Sequence, residues 1–575
     1  MCQRGKDELT EGLKALFKTN PGNGAEDGHG MDRVRYLRGD RSLETSKPGG
    51  IFRARGSVLG DIINSNPLYV GPPALNVQGD NYQSFYDKNK ARAKAVYVGA
   101  NDGMLHAFSA DDGRELFAYV PNVLIPALSQ LTRPDYSHRA YMDGMMSVAE
   151  AKVDTEWKTV VAAGLGGGAQ GVIALDVTNP LDFGGAIFEF TDADDKDMGN
   201  VVSAPVIAKF MTKSPKNAAP EYKYFLVVSS GLNNYKDDGI GKFNPDAPGV
   251  LFLLSLDKAP GAKWQVGRNY FKFTTQNTDA TLQNGLGSPA LVVGANGVVR
   301  YGYAGDLQGN LWRFDFTGAE PFSKKPPKPT LLFTANDEQG QRQPVTTQPK
   351  VVFAPGGGYV VLFGTGKFLE NTDVAPGEFR SQSFYGILDT TKSDYTVSGR
   401  KDLVKRVLET RDNGASLELT GNEFSYLDSK GWYFDFLDSA TTGERSVTNG
   451  LVANGRIFFN TLIPGADPCS AGGGRTYILD TLTGMPQPTT DPLTGLPSRI
   501  IRTGFRSTVG MLSSPVVFDT SANVGDRNAV GRRKVTKNSS VFNFGTDGAA
   551  PAERIATDVP AGRFSWREIL NWLDK

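Results

Sequence analysis

A chain of 575 residues with 62 Lys plus Arg against 62 Asp plus Glu carries no net field to draw it to nucleic acid or to an anionic membrane. Its two cysteines, Cys2 and Cys469, exclude a disulfide framework and a cysteine-built metal centre, and no run approaches the ~18 apolar residues of a membrane-spanning helix. With 67 Gly and 33 Pro beside an ordinary share of apolar residues, the sequence reads as turn-rich and folded.

Met1-Cys2-Gln3-Arg4 is followed by no apolar signal core. Leu9, Leu13, Leu16 and Phe17 fall at helical spacing and predict one short amphipathic helix. Residues 21–30 then read as a Gly-rich linker. Residues 1–50 are accordingly assigned to a helix and linker region left from a larger N-terminal part, and 51–575 to one large β domain. Arg38-Gly39-Asp40 is a tripeptide of the kind that integrins bind, and followed by Arg41 it reads equally as a charged turn.

From there to the C-terminus a loose two-part repeat dominates. Its first part is a small or polar residue, often Ser with Pro, leading into an apolar strand: Ser65-Asn66-Pro67, Ser147-Val148-Ala149, Ser203-Ala204-Pro205, Ser288-Pro289-Ala290, Thr347-Gln348-Pro349 and Ser514-Pro515-Val516. A weaker copy stands at Asn449-Gly450-Leu451-Val452. Each start is followed by a hairpin-like body, most of them closing on an apolar strand that ends in Asp, as at Asp111, Asp176, Asp257, Asp315, Asp389 and Asp480. Turns such as Asn101-Asp102-Gly103 supply the positive φ that tight hairpins need, and the flanking β-branched and aromatic residues suit pleated strands.

Small antiparallel sheets cannot bury both faces alone, but stacked radially they can. The fold predicted is all-β: a modified seven-bladed β-propeller with long loop insertions and short terminal helices, the last of them around Trp566, Ile569, Leu570 and Leu573. Ser57 to Tyr69 reads as a strand that shares one blade with the C-terminal strand at Val541, which would close the ring's open edges. The basic runs Lys324-Lys325-Pro326-Pro327-Lys328 and Arg532-Arg533-Lys534 read as solvated loops.

No catalytic constellation emerges. His29 lies in the linker, His106 alternates with apolar neighbours in a strand and reads as structural, and no spacing joins His138 to a nucleophile or a second metal ligand. The glycine-rich stretch from Gly164 to Gly171 leads into a strand rather than a helix, so it reads as a hairpin turn and not as a phosphate loop. Asp192, Asp194, Asp195 and Asp197 form the densest carboxylate cluster, and Lys196 breaks the alternation of a calcium loop; a solvated turn is expected, with calcium as the alternative.

The run Tyr36-Leu37-Arg38-Gly39-Asp40-Arg41-Ser42, the segment SVLGDIINSNPLYVG from Ser57, VYVGANDGMLHAF from Val96, YAGDLQGNLWRFD from Tyr303, DPCSAGGG from Asp467 and GRFSWRE from Gly562 together resemble the C-terminal propeller of the PilY/PilC proteins of type IV pili. The resemblance implies a non-enzymatic module of pilus assembly, retraction control, twitching motility and adhesion, at the cell surface, pilus tip or outer membrane. Its partners would be pilins and minor pilins, with host or surface receptors beside them, and no cofactor is implied for the chemistry. Family members usually carry a signal peptide and a large N-terminal region, often with a von Willebrand A-like domain, so this chain is expected to be the C-terminal portion of a larger protein.

The family commonly places a nine-residue loop of alternating acidic ligands just before the YAGD strand, and counted back from Tyr303 it falls on residues 292–300. The turn glycine is present as Gly297, but the ligand positions hold Val292, Gly294, Asn296 and Arg300. Calcium takes about 6–8 oxygens, and only Asn296 offers one from a side chain, so no calcium is expected there. Two other function classes use blades of this grammar: a quinoprotein dehydrogenase and a generic outer-membrane assembly scaffold. Against the first, Phe117 stands where a recurrent Trp ends each quinoprotein blade, and no vicinal cysteine pair is present.

Overall fold

The structure, a computed structural model, describes residues 11–75, 77–214, 219–237, 241–294, 296–322, 326–411, 416–422, 425–465, 470, 472–486, 503–527 and 533–561. The expected helix at Trp566 and the cysteines Cys2 and Cys469 lie outside these residues. The chain divides into two compact units, residues 1–302 with 314–329, and residues 303–313 with 330–575.

Seven sheets, antiparallel but for one pairing in the fifth, account for most of the described chain. At one end of each sheet lies Leu68–Val70, Met146–Val153, Val206–Lys213, Ala290–Val293, Lys350–Phe353, Leu451–Ala453 or Val516–Arg527, and each of these strands stands at one of the seven repeat starts read from the sequence. The first four sheets are plain four-stranded meanders in chain order. Each repeat start therefore marks the end strand of a sheet; in most a Pro ends the preceding loop where the chain turns into that strand, Ser147 already lies within its strand, and Asn449-Gly450 does the same without Ser or Pro.

Within the N-terminal unit the middle strands of the sheets bury both faces, which explains why runs such as Gly171–Asp176 and Val250–Ser255 are largely apolar instead of alternating. In the strand Glu156–Gly164, Val161 and Ala163 join one core with Tyr97, Leu105 and Ile173, while Val160 and Ala162 join another with Leu226, Phe252 and Leu254. Period-two geometry sends neighbouring side chains to opposite faces, and each face meets a different sheet. The C-terminal unit repeats the device: Ile457 and Phe459 pack with Phe384 and Trp432, and Phe458 between them packs against Val541.

The fifth and sixth sheets depart from the meander. After Ser383–Asp389 the chain adds Val404–Lys405 to the fifth sheet in parallel, then crosses to the sixth with Val407–Arg411 and Ser416–Thr420. It returns to the fifth with Gly431–Asp435 and leaves again for Leu451–Ala453. Among the described residues the seventh sheet holds Val516–Arg527, Arg533–Phe542 and Ala552–Ala561.

Two expectations need correction. Residues 57–67 form no strand, and the short strand Leu68–Val70 pairs with Ala95–Ala100 in the first sheet, not with the C-terminal strand. Val541 pairs instead within the seventh sheet, so among the described residues no blade is shared between the two ends of the chain.

The predicted N-terminal helix is present as Glu11–Phe17, with Phe17 in the first core; Leu9 lies outside the described residues. The linker leads directly into a second helix, Gly30–Leu37, which the sequence reading passed over. Arg33 of this helix is buried and ties it to the linker by an ion pair with Asp27 and a bond to Phe17 O at 3.0 Å. The hydrogen bond from Arg33 holds the Asp27 carboxyl down at about 2. A carboxylate with a depressed folded pKa lends stability above its ordinary value near 3.8 and loses it as pH falls through about 2. The denaturation midpoints of the parent and Asp27→Asn are therefore expected to differ at neutral pH and to converge between pH 4 and pH 2, which a urea series at several pH values would read. A constant gap across that window would refute the assignment.

Candidate functional site

A cavity of about 230 Å³ opens in the N-terminal unit, lined by Arg53, Val58, Asp61, Asp102, Tyr136 and His138 among others. Part of its walls comes from three stretches that the sequence singled out, the Tyr36 motif, the segment from Ser57 and the Asn101-Asp102-Gly103 turn, and the rest from Arg53–Gly56 and from Leu131, Tyr136 and His138.

The segment from Ser57 runs as a strap held by side chains instead of by a β ladder. Gly60 N–H donates to Asp102 Oδ2 at 2.9 Å, Asn101 donates through its backbone to Asp61 O and through Nδ2 to Asp61 Oδ2, each at 3.0 Å, and Gly99 N–H donates to Ser65 Oγ at 2.9 Å. Asn64 anchors the far end, donating from its backbone and its Nδ2 to the Asp143 carboxylate at 3.1 and 2.7 Å. Position 60 requires glycine, since a Cβ there would sit 2.3 Å from the Asp102 backbone nitrogen.

The charges around the cavity are organised in pairs. Glu44, fully buried, receives Arg55 Nε at 2.8 Å and Arg41 Nε at 3.1 Å. Burial works against its charge, but the two guanidinium donors win and hold its carboxyl below the usual range. Arg55 also stacks 3.6 Å over the Tyr36 ring and donates to Tyr36 O and Asp40 O. Asp61 faces His138 Nε2 at 2.9 Å. His106, read as structural, is buried in its strand between Asp102 at 3.2 Å and Glu115 at 2.6 Å. Burial disfavours its cationic form, yet the carboxylates of Asp102 and Glu115 outweigh that and hold the ring above its ordinary pKa. His29 caps the second helix and meets Asp32 at 3.0 Å.

Arg38-Gly39-Asp40 ends that helix as a turn. Gly39 adopts a φ of +106°, the backbone of Asp40 closes onto Arg35 O at 3.0 Å, and the Asp40 carboxylate accepts Ser42 N–H at 2.8 Å. The side chains of Arg38 and Asp40 both project into solvent. Gly164 to Gly171 joins two strands of the second sheet, as a hairpin turn should.

The Asp192 cluster departs from the solvated turn that was expected. Asp192, Asp195 and Asp197 are 2%, 8% and 6% exposed. Lys272 Nζ bridges Asp195 and Asp197 at 2.8 and 2.6 Å, Tyr270 donates to Asp195 at 2.8 Å, Asn244 donates to Asp197 at 2.5 Å, and Lys242 N–H donates to Asp192 at 2.8 Å. The reason is the long excursion between strands Glu221–Ser229 and Val250–Ser255, which brings Lys242 and Asn244 to the carboxylates. Among the described residues no group of three or more His, Cys, Asp or Glu is arranged to hold a metal ion.

A family model for the PilY1 β-propeller domain matches residues 59–416, more than half of the chain. The chain belongs to the PilY1 β-propeller family. The type IV pilus biogenesis factor PilY1 of Pseudomonas aeruginosa strain PAK is 34% identical over 515 residues, covering 80% of this chain and 41% of that protein. A PilY1 homolog of Xylella fastidiosa is 32% identical over 480 residues, covering 78% of this chain and 31% of its own length. The chain thus spans less than half the length of either relative. The crystal structure of the P. aeruginosa PilY1 C-terminal domain aligns with a TM-score of 0.60 at 25% identity, over 86% of this chain and 99% of that one. With its seven sheets, the fold is a modified seven-bladed β-propeller of the PilY1 type.

In this PilY1-family chain, Ala290–Val293 and Val299–Gly305 are neighbouring strands of the fourth sheet, and Gly294 and residues 296–298 lie at the turn between them. Gly294 N–H donates to Val298 O at 2.8 Å and Gly297, at φ +75°, donates to Gly294 O at 3.0 Å. Arg300 folds back over the turn, its Cδ 3.2 Å from where a Cβ on Gly294 would lie. Val292 and Gly294 carry no side-chain oxygen, and Arg300 brings a cation, so the residues present do not fit a calcium ion. Sequence reasoning missed the convergence of Arg53, Asp61, Tyr136 and His138. The only local signal was Asp102 four residues before His106, one pair of the same face, while the other partners lie too far along the chain for any spacing rule.

Proposed function

We propose that this chain is the propeller module of a type IV pilus biogenesis factor, a non-enzymatic binding domain that works at the cell surface with pilins and minor pilins. The observation that carries this reading is the PilY1 propeller match over residues 59–416. Adhesion and twitching motility follow as the readouts, with Arg38 and Asp40, exposed on their turn, as the candidate contacts for a surface receptor. Deleting the gene and restoring it in trans tests the reading: loss of surface pili and of twitching, both recovered on complementation, is the expected outcome. Normal piliation and motility in the deletion strain would overturn it, and defective outer-membrane proteins in that strain would point to an assembly scaffold instead. Reproducible dye reduction on adding pyrroloquinoline quinone would overturn the non-enzymatic part.

Calcium has no role at residues 292–300 in this proposal. What supports it is the pair Val292 and Arg300 at ligand positions and the guanidinium stem lying over Gly294. Thermal unfolding with millimolar calcium and with excess chelator is expected to give superimposable curves for the parent. A Val292→Asp, Gly294→Asp, Arg300→Asp variant, with three carboxylates beside Asn296, is expected to gain a calcium-dependent rise in midpoint. A calcium response in the parent that Asn296→Ala abolishes would refute the proposal.

A further inference from the structure

The cavity holds donors that the chain itself does not use. Arg53 donates through Nε to Leu131 O at 3.1 Å and lies 4.4 Å over the Tyr136 ring, and among the described residues no carboxylate pairs with it. Every other charged group facing the cavity has a side-chain or backbone partner: Arg55 meets Glu44, Asp61 accepts from Asn101 and meets the His138 ring, and Asp102 accepts from Gly60 and meets the His106 ring. The backbone amides of Ala54, Gly56, Ser57, Val58 and Leu59 also donate no hydrogen bond to any described residue. These groups are fixed in advance, because Arg55 is held on one side of them and Gly60 and Asp61 on the other. Val58 stands 42% exposed in the same strap, with Ile62 at 39% and Ile63 at 63% just beyond.

We infer that this cavity is a docking site for a peptide segment of a partner protein that carries a carboxylate beside an apolar side chain. The one unmatched charge in the walls is a guanidinium, whose planar fork suits a carboxylate, and stacking on Tyr136 removes part of its freedom before binding. The unpaired amides supply further donors to the same anion or to the peptide carbonyls beside it. Asp61 and Asp102 in the walls penalise a doubly charged phosphate more than a single carboxylate, which favours the peptide. Val58 then receives the apolar neighbour. The inference goes beyond the pilus reading and stands without it.

Fluorescence anisotropy of the full chain with a fluorescein-labelled Gly-Val-Asp-Val-Gly peptide tests it, with the Asn-for-Asp peptide as the matched control. Saturable binding of the Asp peptide is expected, weakened about tenfold or more by the Asn replacement and by Arg53→Gln. Ser57→Pro removes one amide donor at an exposed position and is expected to weaken binding severalfold. Equal affinity for the Asp and Asn peptides, undiminished binding by Arg53→Gln, or no binding to the parent at millimolar peptide would overturn the inference. So would displacement of the peptide by an equal concentration of inorganic phosphate. If circular dichroism shows Arg53→Gln unfolded, the two peptides on the unaltered chain decide the matter.

Discussion

Asp306→Ala is expected to lower the unfolding free energy by about 3–5 kcal/mol, enough to remove a large part of the stability of an ordinary domain. Asp306 is fully buried in the YAGDLQGNLW turn and organises it from one carboxylate. Its Oδ1 accepts the backbone amides of Gln308 at 3.0 Å and Asn310 at 2.9 Å, while Oδ2 accepts Asn310 Nδ2 at 2.9 Å and Trp312 Nε1 at 2.8 Å. Removing it leaves several buried donors unsatisfied at once, each costing about 1–3 kcal/mol, with partial relief from water. Asp306→Asn keeps the shape but turns an amide NH₂ toward one pair of those donors, so it is expected to cost nearly as much. A shift below about 1 kcal/mol in chemical denaturation would show that the turn does not depend on this carboxylate.

Lys272→Met comes next, at about 3 kcal/mol. Methionine keeps most of the stem that lies over the Phe252 ring while deleting the ammonium, so the measurement isolates the charge. Asp195 and Asp197 are then left facing each other without their shared cation, in a site already closed by Tyr270 and Asn244. Lys272→Arg keeps a cation between the two carboxylates, so it is expected to lose clearly less than Lys272→Met. Equal losses for the two variants in chemical denaturation would mean that packing, not charge, accounts for the effect.

Sheet count and fold class were legible because each blade start carries a residue that breaks the previous loop, as at Ser203-Ala204-Pro205 before Val206 and at Ser514-Pro515 before Val516. The weakest start, Asn449-Gly450, still introduces the end strand of its sheet. Pairing partners were less legible. Residues 57–67 look strand-like, but the polar groups of Gly60, Asp61 and Asn64 are taken by Asp102, Asn101 and Asp143, which lie far along the chain. The helix Gly30–Leu37 was hidden because its buried face includes Arg33, a charged residue that only its ion pair with Asp27 makes tolerable inside. The carboxylates at 192–197 looked solvated for the opposite reason, since nothing local shows that Lys272 arrives between them. Local patterns reported where strands begin; the cavity and the buried charges depend on which distant residues meet.

The chain path between residues 389 and 451 bears on how such a protein can be inherited. Repeat architectures grow and shrink by copying or losing one whole unit, which needs a cut before and after it that severs nothing else. Here the fifth sheet takes Val404–Lys405, gives the chain to the sixth for Val407–Arg411 and Ser416–Thr420, and recovers it for Gly431–Asp435. No single pair of breakpoints frees either sheet intact. Recombination can move these two blades only together, so they would pass through descent as one double module while their neighbours remain separable.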